Sequence, residues 1–306
     1  MRTRSLGAGG PEVSVVGLGC NNFGSRVDVQ GTRAVVDAAL DAGVTLFDTA
    51  DIYGNRGKSE EFLGEALEGR RERVVLATKF GHPSGVDFGV PMGSREHIRR
   101  AIDESLRRLR TDWVDVYQQH RPDETTPIEE TLGALTELVG EGKVRFVGSS
   151  NFSAAQVEEA DRVAGERALA RFVSAQNEYS FLRRDAEQEL LPTCERLGVG
   201  VLPYFPLASG LLTGKYRRGE PAPPGTRLQD RETNEADFDV VERLERFGAE
   251  RGRTLLDVAV GGLLAQPAIA SVIAGATKPE QVRANAAAGA WAPSPDDLRR
   301  LRAALD

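Results

Sequence analysis

The chain has 306 residues with 39 basic and 46 acidic side chains, a formal charge of −7 in which both signs are interspersed. Folding at this length hides roughly 75% of the extended chain's surface, so no disulfide or structural metal is needed for stability, and the lack of a cationic face argues against nucleic acid or anionic membrane as partners. Only Cys20 and Cys194 occur, no apolar run reaches the length of a membrane span, and the opening MRTRSLGAGG lacks an apolar signal region, so a disulfide framework is excluded and a cytoplasmic setting expected.

After an N-terminal β-hairpin over Thr3–Val16, short β-branched runs alternate with amphipathic stretches. The first half of the chain predicts strand Val15–Leu18, helix Gly31–Ala42, strand Val44–Phe47, helix Ser59–Leu67, strand Arg73–Thr78 and helix Ser94–Leu109. Strand Val114–Gln118, helix Pro127–Gly140, strand Val144–Val147, helix Ser153–Ala164, strand Phe172–Ala175 and helix Arg184–Leu197 follow. The last part predicts strand Gly200–Pro203, helices Asp237–Gly252 and Thr254–Leu264, strand Ala270–Ile273, helix Pro279–Ala288 and a capped terminal helix within Pro293–Asp306. Ser94 and Ser153 suit N-caps, Pro127 and Pro279 suit first turns, and Gly43, Gly142, Gly198 and Gly252 fall where helices end.

Eight strand–helix units with no compositional break predict a single α/β domain over residues 1–306. The expected architecture is a (β/α)8 TIM barrel, usually about 250 residues, with an N-terminal β-hairpin and accessory C-terminal helices. A doubly wound sheet in two domains is the competing arrangement. Two irregular segments, Gly81–Gly93 and Ala208–Ala236, exceed ordinary loop lengths and mark functional loops.

In a parallel barrel the chemistry sits at the carboxyl ends of the strands. Polar residues gather there: Asp48, Lys79, Gln119 and His120, Ser149 to Asn151, Gln176 and Asn177, Tyr204, and the loop Gly275–Lys278. Such groups at the end of a buried run are costly unless they bond one another or a ligand. Tyr53 lies in the turn-forming segment after Asp48. A phenol is a weak acid at neutral pH, and an ammonium at Lys79, held by Asp48, favours its release of the proton. His120 suits a hydrogen bond to the carbonyl oxygen on which charge develops. No side chain donates hydride, which calls for a nicotinamide cofactor. Ser150, Asn151 and Gln176 suit its carboxamide, Tyr204 its ring, and the helix start after Gly275–Lys278 its phosphates.

Plainer readings exist for each residue. Asp48 alone reads as a helix cap, Lys79 as a surface lysine or a Schiff-base nucleophile, Cys20 as a buried small residue, and His82 and His97 as ordinary loop and helix residues. GNRGKS over Gly54–Ser59 imitates a P-loop, but Ile52 stands where its first glycine is required. GLGCNNFG over Gly17–Gly24 imitates a dinucleotide fingerprint, with Asn22 at the third glycine. Asn151-Phe152-Ser153 is a sequon that abuts a buried strand, and the 3 histidines form no metal motif.

With these residues in place, the sequence resembles the aldo-keto reductase superfamily over almost its whole length. The resemblance rests on GLGCNNFG, FDTADIYGNRGKSEEFLGEAL (Phe47–Leu67), ATKFG (Ala77–Gly81), DWVDVYQQHRPD (Asp112–Asp123), GKVRFVGSSNFS (Gly142–Ser153), QNEYSFL (Gln176–Leu182), LPYFPLASGLLTGKY (Leu202–Tyr216) and SVIAGATKPEQVRAN (Ser271–Asn285). It implies a catalytic tetrad of Asp48, Tyr53, Lys79 and His120 and a metal-free, NADP(H)-linked reduction of aldehydes or ketones. It further implies that Leu207, Ser209, Gly210, Leu212 and Lys215 line the pyrophosphate, that Gly275, Thr277, Lys278, Gln281 and Asn285 surround the 2′-phosphate end, and that Gly19 and Phe205 lie beside the cofactor. Phe205 replaces a serine common in the family. Gln281 replaces an arginine, so preference for NADP(H) over NAD(H) rests on Lys278. The chain ends soon after its last helix, so an open substrate site for a small carbonyl compound is expected. Two other readings stay open: a Lys79 aldolase, and a cofactor-sensing redox subunit with little turnover. Oligomeric state is not encoded in these motifs.

Overall fold

The computed structural model describes residues 1–229 and 234–305; Asp306 and residues 230–233, within the expected terminal helix and the second long loop, lie outside them. Two short antiparallel strands, β1 (Thr3–Ser5) and β2 (Glu12–Ser14), precede eight parallel ones: β3 (Val16–Gly19), β4 (Leu46–Asp48), β5 (Val75–Phe80), β6 (Val114–Gln119), β7 (Val144–Ser150), β8 (Phe172–Gln176), β9 (Gly200–Val201) and β10 (Val272–Gly275). Their spatial order, β10-β3-β4-β5-β6-β7-β8-β9, follows the sequence. The two ends of the sheet meet: Val201 N–H donates to Ala268 O, Ala270 N–H to Val201 O, and Ile273 N–H to Pro203 O, at 2.7, 3.0 and 3.2 Å. A doubly wound sheet would keep two free edges, so the arrangement is the TIM barrel.

Ten helices accompany these strands among the described residues: α1 (Val29–Asp41), α2 (Tyr53–Ala66), α3 (Arg95–Leu109), α4 (Ile128–Gly140), α5 (Ala154–Arg167), α6 (Leu190–Leu197), α7 (Glu235–Ala249), α8 (Leu255–Leu264), α9 (Pro279–Ala288) and α10 (Pro295–Leu305). Their spacing explains their seating. In α3 the buried Ile98, Ala101, Ile102, Leu106 and Leu109 recur every three or four residues, while the Ser94 hydroxyl accepts from His97 N–H at the amino end. Ser153 and Gln156 close a reciprocal capping box on α5. The larger core lies between helices and strands; a smaller one fills the lower barrel, where Leu6 and Val13 of the hairpin pack on Leu46, Ala77, Val116, Leu202 and Ile273. The hairpin is therefore the floor. Its fit is tight, since a Cβ on Gly200 would lie 2.7 Å from Gly7 N.

Two departures from expectation have physical causes. The predicted helix Arg184–Leu197 is a 3-10 turn at Asp185–Glu187 followed by α6, because Pro192 has no N–H to bond back toward Gln188. Several strands also end beyond the apolar runs: β4 includes Asp48, β5 includes Lys79, β7 includes Ser150 and β8 includes Gln176. Among the described residues no helix is long and apolar enough to cross a membrane.

Candidate active site

At the carboxyl end of the barrel, β4 and β5 run side by side with Asp48 paired in register to Ala77. This brings Lys79, with 0% exposure, against Asp48: its Nζ donates to Asp48 Oδ2 at 2.7 Å, to Thr49 O at 2.9 Å and to the Tyr53 hydroxyl at 3.4 Å. Tyr53 is placed by an unusual turn. Gly54, Asn55, Arg56 and Gly57 all have positive φ, and the regular part of α2 starts only after them, near the predicted Ser59. A Cβ on Gly54 would sit 2.3 Å from Phe23 O, so this left-handed turn requires glycine there.

Asp48 is fixed from its other oxygen. Gln118 Nε2 and Gln176 Nε2 donate to Oδ1 at 3.2 and 2.9 Å. Thus Gln176, expected at a carboxamide, also holds the carboxylate, and Gln118 was missed by sequence reasoning because it ends an apolar run without a motif of its own. Burial alone would lower the Lys79 ammonium, but Asp48 and then Tyr53 outweigh it and hold it above its ordinary range. For Tyr53, burial raises the phenol, Lys79 pulls it down and Asp48 pushes it up; the balance lies above the ordinary value. The lysine acts in the expected direction, but burial is the larger effect, so the expected net lowering is not found.

His120 follows β6 with its ring edge-on to Tyr53 at 5.8 Å between centroids. Burial first, then Lys79, His82 and Arg121, push its imidazolium down to about 2, so it is neutral. Its Nδ1 is buried without a partner. A buried N–H without an acceptor is costlier than an idle lone pair, which puts the proton on Nε2. The histidine is therefore a hydrogen-bond donor, not an acid. His82, read from sequence as an ordinary loop residue, lies 4.8 Å from His120 ring to ring.

Tyr53 and His120 open into a cavity of about 910 Å³ that continues toward α9, large enough for a dinucleotide. Its wall holds Gly19, Ser150, Asn151, Gln176, Tyr204 and Phe205 near the tetrad and Leu207, Ser209, Gly210 and Lys215 farther along. Gly275, Thr277, Lys278, Gln281 and Asn285 line the far end. Leu212 is the exception: it is fully buried in the larger core and does not reach the cavity, because the turn that sets Ser209 and Gly210 in the cavity wall directs it inward. Asn151, in a left-handed conformation, donates to His120 O and Ser150 Oγ and accepts from the Tyr204 hydroxyl at 2.8 Å, which fixes the Tyr204 ring and commits the sequon. Ser209 and Gly210 carry consecutive positive φ, Gly210 N–H donates to Leu207 O at 2.8 Å, and Lys215 packs against Gly210. Gln281 accepts from Thr277 N–H and Oγ at 2.7 and 3.1 Å, leaving Lys278 as the charged group of that end. Over the cavity Arg26 donates to Gly225 O and Arg227 to Asn22 Oδ1, a covering contact that no motif announced.

Behind the tetrad lies a buried polar cluster. Glu60 accepts from Thr78 Oγ1 at 2.5 Å and from Arg108 Nε at 2.7 Å. Asp51 is buried beside it, and burial, reinforced by Glu60, pushes its carboxyl up to about 7.

A closed parallel barrel whose strand ends join a tyrosine, a lysine, an aspartate and a neutral histidine to a long cavity with Arg26, Arg121, Lys215, Arg227 and Lys278 in its wall suits an oxidoreductase. The sequence matches the Aldo/keto reductase family over residues 15–306. The chain is 39% identical over 295 residues to an "Uncharacterized oxidoreductase YrpG" of Bacillus subtilis (strain 168), covering 91% of this chain and 88% of that one. It is 34% identical over 306 residues to a "Probable aldo-keto reductase 1" of Glycine max, covering 97% and 86%. A "Probable voltage-gated potassium channel subunit beta" of Oryza sativa subsp. japonica is 37% identical over 300 residues, covering 93% and 90%. The protein belongs to the aldo/keto reductase family, and its relatives support an oxidoreductase function.

Proposed function

We propose that the protein reduces aldehydes or ketones to alcohols with NADPH, NADH serving less well. The observation that carries this reading is the Asp48–Lys79–Tyr53 chain of contacts beside a neutral His120, all at the end of one cavity. Ser150, Asn151 and Gln176 would hold the carboxamide, Tyr204 the ring, Ser209, Gly210 and Lys215 the pyrophosphate, and Lys278 the 2′-phosphate. Such a cofactor supplies hydride to the carbonyl carbon. His120 Nε2–H orients the carbonyl oxygen, and Tyr53 gives that oxygen its proton. The phenolate left behind faces the Lys79 ammonium, whose charge offsets it beside the buried Asp48. The reading against a Schiff-base aldolase is supported by the same geometry: Lys79 is buried, protonated and committed to three acceptors, the opposite of a nucleophilic amine.

The test is Tyr53→Phe. The variant should still quench the fluorescence of Trp113 and Trp291 on binding NADPH while losing roughly 10²–10⁴-fold in carbonyl-dependent NADPH oxidation; full turnover would overturn the proton-donor role. The relative named as a potassium channel subunit beta favours a second reading, a cofactor-sensing subunit. Tight NADPH binding by the unaltered protein with no turnover over a panel of reactive aldehydes would favour that role.

A further inference from the structure

The substrate end of the cavity holds a cation that the proposed chemistry does not use. Arg121, directly after His120, lines the same wall as Tyr53 and His120. Its charge is felt at His120, His82 and Tyr204. Among the described residues it makes no hydrogen bond and no ion pair. Arg121 is exposed, and it differs from the other arginines of the cavity wall, Arg26 and Arg227, which are held by Gly225 O and Asn22 Oδ1.

Two of the nearby acids, Asp48 and Asp123, are committed elsewhere. Asp48, the cavity's acidic residue, is held by Lys79, Gln118 and Gln176. Asp123, two positions on, accepts from Gly93 N–H, Thr125 N–H and the hydroxyls of Thr125 and Thr126. Glu178, whose charge also reaches Tyr204, does not line the cavity. The remaining cations of the wall serve its other parts: Arg26 and Arg227 bond the covering loops, Lys215 packs on Gly210, and Lys278 stands at the start of α9.

We propose that Arg121 selects carbonyl substrates that carry a carboxylate, its planar guanidinium binding the carboxylate while His120 and Tyr53 hold the carbonyl oxygen. A guanidinium fork matches a carboxylate's two oxygens, and the charge-assisted pair adds orientation as well as affinity. The proposal rests on the reductase reading, so the experiment is built to separate their failures.

With NADPH, kcat/KM is compared for 4-carboxybenzaldehyde, 3-carboxybenzaldehyde and the neutral methyl 4-formylbenzoate in the unaltered protein, Arg121→Gln and Arg121→Lys. The expected result is a preference of about tenfold for a carboxylate substrate over the ester, expressed in KM, eroded by added salt, abolished by Arg121→Gln and partly restored by Arg121→Lys. No carboxylate preference in the unaltered protein, or an undiminished one in Arg121→Gln, overturns the proposal and leaves the reductase reading intact. A rise in the NADPH Kd of Arg121→Gln in place of a substrate effect also overturns it. If no carbonyl is turned over, the reductase reading fails, and benzoate binding by calorimetry decides the cation's role: binding lost in Arg121→Gln upholds an anion subsite, while equal or absent binding refutes it.

Discussion

Lys79→Met removes the centre of the site at nearly constant side-chain length. It deletes three donations, of which the shortest, 2.7 Å, is the bond to Asp48. Asp48 is 2% exposed, so its carboxylate is left with only the amides of Gln118 and Gln176. Stranding one member of a buried ion pair costs about 3–5 kcal/mol. With an unfolding entropy of about 2.1 cal/mol/K per residue, 306 residues give about 0.64 kcal/mol/K, so the expected fall in Tm is about 5–8 °C. The double variant Asp48→Asn/Lys79→Met removes the stranded charge and should recover most of that loss. Far-ultraviolet circular dichroism melts at one scan rate and neutral pH read the stability, and aldehyde-dependent NADPH oxidation reads the chemistry. Turnover should be lost in both variants while stability returns in the double one. A single variant that melts within about 1 °C of the unaltered protein, or a double variant no more stable than the single, would refute the reasoning that this pair is an interdependent buried unit.

Three further outcomes follow from the same geometry. His120, pushed down to about 2, should stay neutral between pH 5 and 8, so its imidazole 15N shifts should be flat over that range; an inflection near 6.5 would contradict the burial argument. Asp51, raised to about 7, keeps in the folded state a proton that the unfolded chain releases near pH 4, so its contribution falls as pH rises through that interval; Asp51→Asn should therefore raise Tm at pH 8 and lose its advantage by pH 4, and a pH-independent difference would count against this. Gly54→Ala forces a Cβ to within 2.3 Å of Phe23 O at φ 65, and a cost of about 1–3 kcal/mol should lower Tm by about 2–5 °C and slow turnover, whereas an unchanged melt would show that the Tyr53 turn is not strained.

The sequence alone determined the period of the fold and the identity of the polar groups gathered at the strand ends. Alternating β-branched and amphipathic runs specify a strand–helix repeat because a strand buried on both faces must be apolar throughout, and Ser153, Pro279 and Gly198 mark helix ends through local hydrogen bonding and φ. Asp48, Lys79 and His120 were legible as polar groups where apolar runs stop, and Tyr53 as a residue of the turn-forming segment after Asp48. What stayed hidden depends on contacts between distant segments. The strands continue past their apolar runs because Asp48, Lys79, Gln118 and Gln176 satisfy one another inside the barrel, which no local pattern encodes. Leu212 turned inward rather than toward the cavity, and His82 reached His120, because the backbone around each was set by tertiary packing. The rise of the Tyr53 phenol and the neutrality of His120 are likewise properties of burial: a charge's cost is set by the dielectric and the neighbours that the closed barrel brings around it, and these exist only once the eight strands have met.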